Sequence, residues 1–250
     1  WERPVYIHMP PIMKDAQHKL SKRNGDASYE DLIKKGFLKD AIINYIALLG
    51  WSPKDDSEKM SFAELQRKFD VSGINKSPSI FDPMKLAWLN SLYIKEMPPE
   101  SFAEYAKPWL ETCYLKDFDK RLVCKLIQSR IETFAEIEDK LRFLVEFGDI
   151  DDGLYVNQKQ KADAALAKNI LPKIKDKLYV LKNWDNQNLF DTLVELSAEL
   201  DCKKGAVLWI ARVALTGLAV TPGGASEIAE ILGKEETLRR IDCAIMQLNG

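Results

Sequence analysis

From Ser28 to the C-terminus almost every segment of this 250-residue chain carries helical periodicity, and no strand–helix–strand alternation interrupts it. Residues 38–49 are apolar on most faces, which predicts the buried centre of a domain, closed by Gly50. Asp26-Ala-Ser28 with Glu30 and Asp31 reads as a helix start, and Gly36 as its end. Ser61 opens a short helix over 62–69, and Leu86, Trp88, Leu89 and Leu92 mark another over 84–94. Pro98-Pro99 is the clearest break, because consecutive prolines cannot continue a helix. Beyond it the periodicity predicts helices over 102–112, 118–128, 134–147, 159–177, 188–200, 204–216, 226–232 and 235–248. Pro172 is expected to bend or split the helix that contains it. Before Ser28 the only regular element expected is a strand over 5–8, ended by Pro10-Pro11. The fold class is therefore mainly α, with three expected parts: a β/loop piece over 1–26, a helical unit over 27–97, and a longer all-helical unit over 98–250 with room for two subdomains.

Composition narrows the function classes. Lys and Arg total 36 against 38 Asp and Glu, a formal charge of −2, which excludes a histone-like polybasic mode but leaves a local basic patch open. Hydrophobic residues make up 46%, which excludes wholesale disorder. Cys113, Cys124, Cys202 and Cys243 form no CxxC pair, so free thiols in a reducing compartment are expected. His8 and His18 are too few for a histidine-based metal site. The longest apolar run, 206–220, is broken by Arg212 and Gly217 and falls short of the roughly 20 residues that span a bilayer. No signal-peptide pattern opens the chain, which fits a cytoplasmic protein, and the start at Trp1 suggests a piece of a longer one.

The segment with the clearest chemistry is Lys19-Leu-Ser-Lys-Arg23. Lys19, Lys22 and Arg23 flank the hydroxyl of Ser21, and Gly25 gives the backbone room. Such a loop suits a polyphosphate: cations supply charge, hydroxyl and backbone N–H groups supply hydrogen bonds. A basic loop of this length is also what an ordinary solvated turn looks like.

Its neighbours favour the first reading. The stretch 18–28, followed by Asn44-Tyr-Ile-Ala-Leu-Leu-Gly-Trp51, resembles the glutamyl-tRNA synthetase family of class I aminoacyl-tRNA synthetases. Lys19 to Arg23 looks like that family's version of the class I "KMSKS" loop, with Leu20 for Met and Arg23 for the last Ser. Arg212-Val-Ala-Leu-Thr-Gly217, Thr221-Pro-Gly223 and Ile231-Leu-Gly-Lys-Glu235 resemble the C-terminal signature of the bacterial-type enzymes. Residues 53–80 and 150–200 match nothing quotable. Neither histidine sits in a "HIGH" motif, so the chain looks like the C-terminal half of such an enzyme, with most of the Rossmann catalytic domain absent.

The resemblance implies a glutamate–tRNA ligase as parent. Glutamate's carboxylate attacks the α-phosphate of Mg-bound ATP, pyrophosphate leaves, and the glutamyl-adenylate charges tRNA. Lys22 is the implied catalytic residue, stabilising charge on the leaving phosphates; Lys19, Ser21 and Arg23 complete the implied ATP-binding set. Residues 27–97 would be a stem-contact domain and 98–250 would read the anticodon. The RNA partner is tRNA(Glu), with tRNA(Gln) left open, and a monomer is expected. Candidate tRNA contacts are Arg130, Arg142, Arg212 and Trp209; the alternatives are a solvated helix face for the arginines and core packing for the tryptophan. The piece alone is expected to bind tRNA without catalysing. A helical protein-interaction scaffold is the competing reading. A glutaminyl-type enzyme, whose corresponding half is built of β-barrels, and the truncated paralogue lacking an anticodon-binding domain fit less well.

Overall fold

The computed structural model describes residues 1, 3–21, 28–111 and 115–250; Lys22, Arg23 and Cys113 lie outside the described residues. Two compact units divide it, one formed by 1–105 with 131–136, the other by 106–130 with 137–250.

In the first unit β1 (Ile12–Met13) pairs in parallel with β2 (Ser79–Ile80), the only named sheet among the described residues. Helices α1 (Tyr29–Lys34), α2 (Lys39–Gly50), α3 (Phe62–Lys68) and α4 (Pro83–Glu96) supply the rest, and α5 (Pro99–Leu110) carries the chain out of the unit. The caps are those the sequence chemistry calls for. Ser28 accepts from the Asp31 N–H, Asp82 caps α4, and Ser61 with Glu64 forms a capping box. The double proline closes α4 and starts α5, where the missing N–H of Pro99 costs nothing. Helix α2 is the buried centre, as its apolar faces required: Ala41, Ile42, Tyr45 and Leu49 are buried, and Ile42, Tyr45 and Leu49 pack with Leu32, Leu86 and Leu89. A second, smaller cluster joins Trp51, Met60 and Leu65. Gly50 is the last helical residue rather than a left-handed cap; Trp51 follows in extended conformation.

Two buried asparagines tie this unit together. Asn90 Oδ1 accepts from the Leu38 N–H at 2.8 Å and its amide donates to the Glu132 carbonyl. Asn44 Oδ1 accepts from the Met60 N–H and the Tyr93 hydroxyl. Gly36, at φ +79, lets the Phe134–Ala135 backbone approach so closely that an added Cβ would lie 2.6 Å from the Phe134 nitrogen.

The named elements of the second unit are all helical, with one isolated antiparallel bridge between Asn157 and Ala162. It contains α6 (Lys120–Ile127), α7 (Glu136–Leu141), whose first residue falls in the first unit, α8 (Ala164–Val180), α9 (Asn186–Glu199), α10 (Lys204–Thr216) and α11 (Ala225–Asn249), with 3₁₀ turns at Gln128–Arg130, Arg142–Leu144 and Asp152–Tyr155. Helices α8 to α11 pack on one another around Ile170, Ile174, Leu189, Val207, Ile210, Ile228 and Ile241. The chain is thus mainly α, as expected.

Four sequence expectations need correction. Residues 5–8 form no strand, and Val5 and Tyr6 are exposed; the strand lies at Ile12–Met13, where β2 supplies a partner. The helix expected over 134–147 is broken into α7 and a 3₁₀ turn, because the Phe143 and Leu144 carbonyls accept from the buried Arg240 instead of from a continuing helix. The helix expected from 159 starts at Ala164, where Asp163 caps it. Pro172 does not split α8: Ile170, Leu171 and Ile174 are fully buried around it, and that packing outweighs one missing N–H. Gly233, at φ 76 and ψ 168, breaks helical geometry inside α11, which matches the two helices read on either side of it.

Candidate nucleic-acid interface and nucleotide-side loop

Lys19 and Ser21 sit at the end of a small hairpin-like turn. The Leu20 N–H donates to the Ile12 carbonyl at 3.0 Å, and Met13 bridges Lys19 in antiparallel fashion. Asp15 closes the turn by accepting from the Gln17 and His18 N–H groups, each at 2.8 Å, and from His18 Nδ1; those bonds hold its carboxyl below the usual range. The turn's shape is thus fixed by backbone bonds and the Asp15 carboxylate, and Lys19 is exposed. An ammonium and a hydroxyl two residues apart on such a turn are a donor set that fits a polyphosphate. Among the described residues no three His, Cys, Asp or Glu side chains gather as a metal site.

In the second unit a cleft of about 370 Å³ is lined by Arg130, Asp139, Lys140, Leu218, Val220, Thr221 and Pro222. One wall is the 3₁₀ turn ending at Arg130 together with α7. Lys140 Nζ donates to the Arg130 carbonyl at 2.7 Å, which ties α7 to that turn. Arg130 is exposed, whereas Arg142 is paired with Asp139 at 2.8 Å. The other wall is the loop after α10. Gly217 ends α10 in left-handed conformation. Leu218 and Val220 then face solvent, 41% and 83% exposed.

Arg212 shapes that loop. Its Nη2 donates to the Ala219 carbonyl at 2.7 Å and its Nη1 reaches Thr221 Oγ1 at 3.5 Å, while Thr221 donates on to the Gly223 carbonyl. The guanidinium lies 4.5 Å from the Trp209 ring centre, and burial lowers its pKa. Trp209 Nε1 is engaged by the Leu154 carbonyl at 3.0 Å. Both residues also line a second cleft of about 480 Å³ with Phe190, Leu208 and Glu227.

Of the four candidates only Arg130 lines the first cleft; Arg142 pairs with Asp139 in its wall, and Arg212 bonds Ala219 and Thr221 of the opposite wall while lining the second cleft. Trp209 is placed under Arg212 rather than in the first cleft. Asp139, Lys140 and residues 218–222 were missed as candidates. So was Arg240, although Thr237, Ile241 and Ala244 put it on a buried helix face and Glu236 stands four residues before it. An arginine on an apolar stripe with a carboxylate at i−4 is the signal that marks it.

An anticodon binding domain model matches residues 101–245, more than half of the chain, and a model of the tRNA synthetases class I (E and Q) catalytic domain matches residues 1–88. The chain therefore belongs, over residues 101–245, to the anticodon binding domain family, and over residues 1–88 it is similar to the catalytic domain of the class I (E and Q) tRNA synthetases. The curated relatives are glutamate–tRNA ligases: that of Clostridium tetani is 47% identical over 250 residues, and that of Clostridium kluyveri 46% identical over 248. These alignments cover 100% and 99% of this chain and 51% of each relative, so the chain spans about half the length of the curated relatives it matches. A crystal structure of a glutamate tRNA ligase from Elizabethkingia meningosepticum shares the fold, with a TM-score of 0.83 at 23% identity over 99% of this chain and 52% of that one. No helix among the described residues is long and apolar enough to cross a membrane.

Proposed function

We propose that this chain is the tRNA-binding part of a glutamate–tRNA ligase, which joins glutamate to tRNA through an ATP-derived glutamyl-adenylate. The observation that carries the reading is the cleft of Arg130, Lys140 and residues 218–222, which lies within the segment matched by the anticodon-binding model. It combines the exposed Arg130 and the half-buried Lys140 with the exposed apolar side chains of Leu218 and Val220. Single-stranded bases need both, a positive groove for the phosphates and flat apolar contacts for the rings. Arg212 and Arg240 hold the walls in advance, so less order remains to be imposed on binding.

In this reading residues 27–97 contact the tRNA stem, residues 98–250 the anticodon arm, and residues 1–26 belong to the nucleotide side. The chain acts as a monomer in the cytoplasm. Lys19 and Ser21 hold the phosphates of ATP, whose magnesium ion comes with the nucleotide, and Lys22 and Arg23, read from the sequence alone, add charge there. Bound ATP would supply the adenylyl group that activates glutamate's carboxylate, and Lys22 would stabilise negative charge as pyrophosphate departs. By itself the chain binds tRNA(Glu) and does not charge it; whether tRNA(Gln) also binds depends on the cleft side chains.

The test is binding of tRNA(Glu) compared with the same tRNA carrying a changed anticodon, beside a charging assay with ATP and glutamate. Binding that weakens on anticodon change, without charging, supports the reading. Measurable charging overturns the non-catalytic part. No RNA binding at all overturns the whole and leaves the protein-interaction scaffold, a reading the near-neutral charge allows.

A further inference from the structure

Arg240 is the largest fully buried side chain among the described residues, 1% exposed. Its Nη1 donates to the Phe143 and Leu215 carbonyls, both at 2.8 Å, and its Nη2 donates to the Leu144 carbonyl at 2.6 Å. Its Nε donates to Glu236 Oε1 at 2.7 Å, and the guanidinium lies 4.8 Å from the Phe147 ring centre. Glu236 is itself fixed by Arg239, at 2.6 and 2.7 Å.

The three carbonyls are not equivalent members of one helix. Leu215 lies in the last turn of α10, where carbonyls have no intrahelical donor, and two residues later Gly217 starts the loop that forms one cleft wall. Phe143 and Leu144 lie in the 3₁₀ turn that begins at Arg142, directly after α7, which carries Asp139 and Lys140 in the other wall. One planar guanidinium therefore bonds the backbone beneath both walls. A lysine ammonium, a point charge without the fork, cannot reach all three acceptors in this geometry.

We propose that Arg240 is a positioning residue for RNA binding: it sets the separation of the two cleft walls without touching the RNA. This rests on the RNA reading of the cleft. The route runs from the guanidinium to the Leu215 carbonyl, through Gly217 to Leu218 and Val220, and from the Phe143 and Leu144 carbonyls back to Arg142, Lys140 and Asp139. Arg212 restrains the same loop through Ala219 and Thr221, so a buried and a half-buried arginine both fix its path.

The test uses the 250-residue chain and its Arg240→Lys variant. Amide hydrogen exchange is read at residues 218–221, tRNA(Glu) affinity is measured against salt, and stoichiometric titration gives the active fraction. Expected are exchange at 218–221 at least tenfold faster while α8 and α9 are unchanged, and a Kd about tenfold higher for the active fraction. The salt slope stays that of the unaltered chain, because no phosphate contact is lost. A purely structural role lowers the active fraction and leaves its Kd within twofold; that result overturns the proposal. If Arg240→Lys does not fold, Glu236→Gln keeps the three carbonyl bonds but loosens the guanidinium, and about threefold changes in exchange and Kd are expected; no change in either overturns the proposal. Should the unaltered chain fail to bind tRNA, the RNA reading itself falls, and the positioning role with it. Normal binding by both chains removes the positioning role alone.

Discussion

The two units hold their candidate ligand surfaces by opposite means. In the first, Lys19 and Ser21 hang on backbone bonds from a two-residue strand, whose Ile12 packs on one small apolar cluster, and from a turn closed by the exposed Asp15. In the second, the cleft walls are tied by side chains that reach from long helices, the half-buried Arg212 and the fully buried Arg240. Backbone bonds at an exposed turn exchange readily with water, whereas carbonyls bonded by a buried arginine have no substitute partner. The contrast predicts a shape that yields on the nucleotide side and a rigid one on the RNA side.

The largest effect expected comes from Arg240→Met, which strips three buried carbonyls and leaves Glu236 without its buried partner. A loss of about 3–5 kcal/mol is expected, read by denaturant unfolding of the second unit. Asn90→Ala makes the matching cut in the first unit by leaving the Leu38 N–H and the Glu132 carbonyl unbonded; about 2–4 kcal/mol should be lost. Gly36→Ala imposes a positive φ on a residue with a Cβ and drives that atom into the Phe134 backbone, for about 1–3 kcal/mol.

Acid should sharpen the difference. Hydrogen bonds from Arg239 and Arg240 lower Glu236 to a pKa of about 2, against burial that raises it. Its folded pKa lies below the unfolded value near 4.5, so its stabilisation is present above pH ~4.5 and lost as pH falls towards ~2. Glu236→Gln should remove that part of the acid dependence of the second unit's Tm. In the first unit Asp55 is also held low, chiefly by Lys68, but it is solvent-exposed. Asp55→Asn should leave thermal stability almost unchanged. Arg130→Ala should reduce the salt slope of tRNA binding by about one phosphate contact and leave stability intact.

Most of the fold was legible because helix starts and stops are local chemistry. Ser28, Ser61 and the Pro98-Pro99 break each appear in the structure with the role their chemistry implies. Misreadings fell where a distant partner decides. Residues 5–8 have strand propensity but no neighbouring strand, and residues 142–147 have helical periodicity but give two carbonyls to a side chain 96 or more positions away. The candidate site was less legible. Arg130, Arg142 and Arg212 could be named from residue type alone, but the cleft that Arg130 lines depends on the loop 218–222, whose path is set by tertiary hydrogen bonds. Lys22 carries the implied phosphate chemistry and lies outside the described residues.

The salt dependence of tRNA binding by the intact chain tests the nucleic-acid reading most directly. Affinity should fall steeply between about 50 and 200 mM salt, with a log–log slope of about −3 or steeper, equivalent to three or more phosphates at ~0.9 each. A slope near zero, or no complex at low salt, would contradict it.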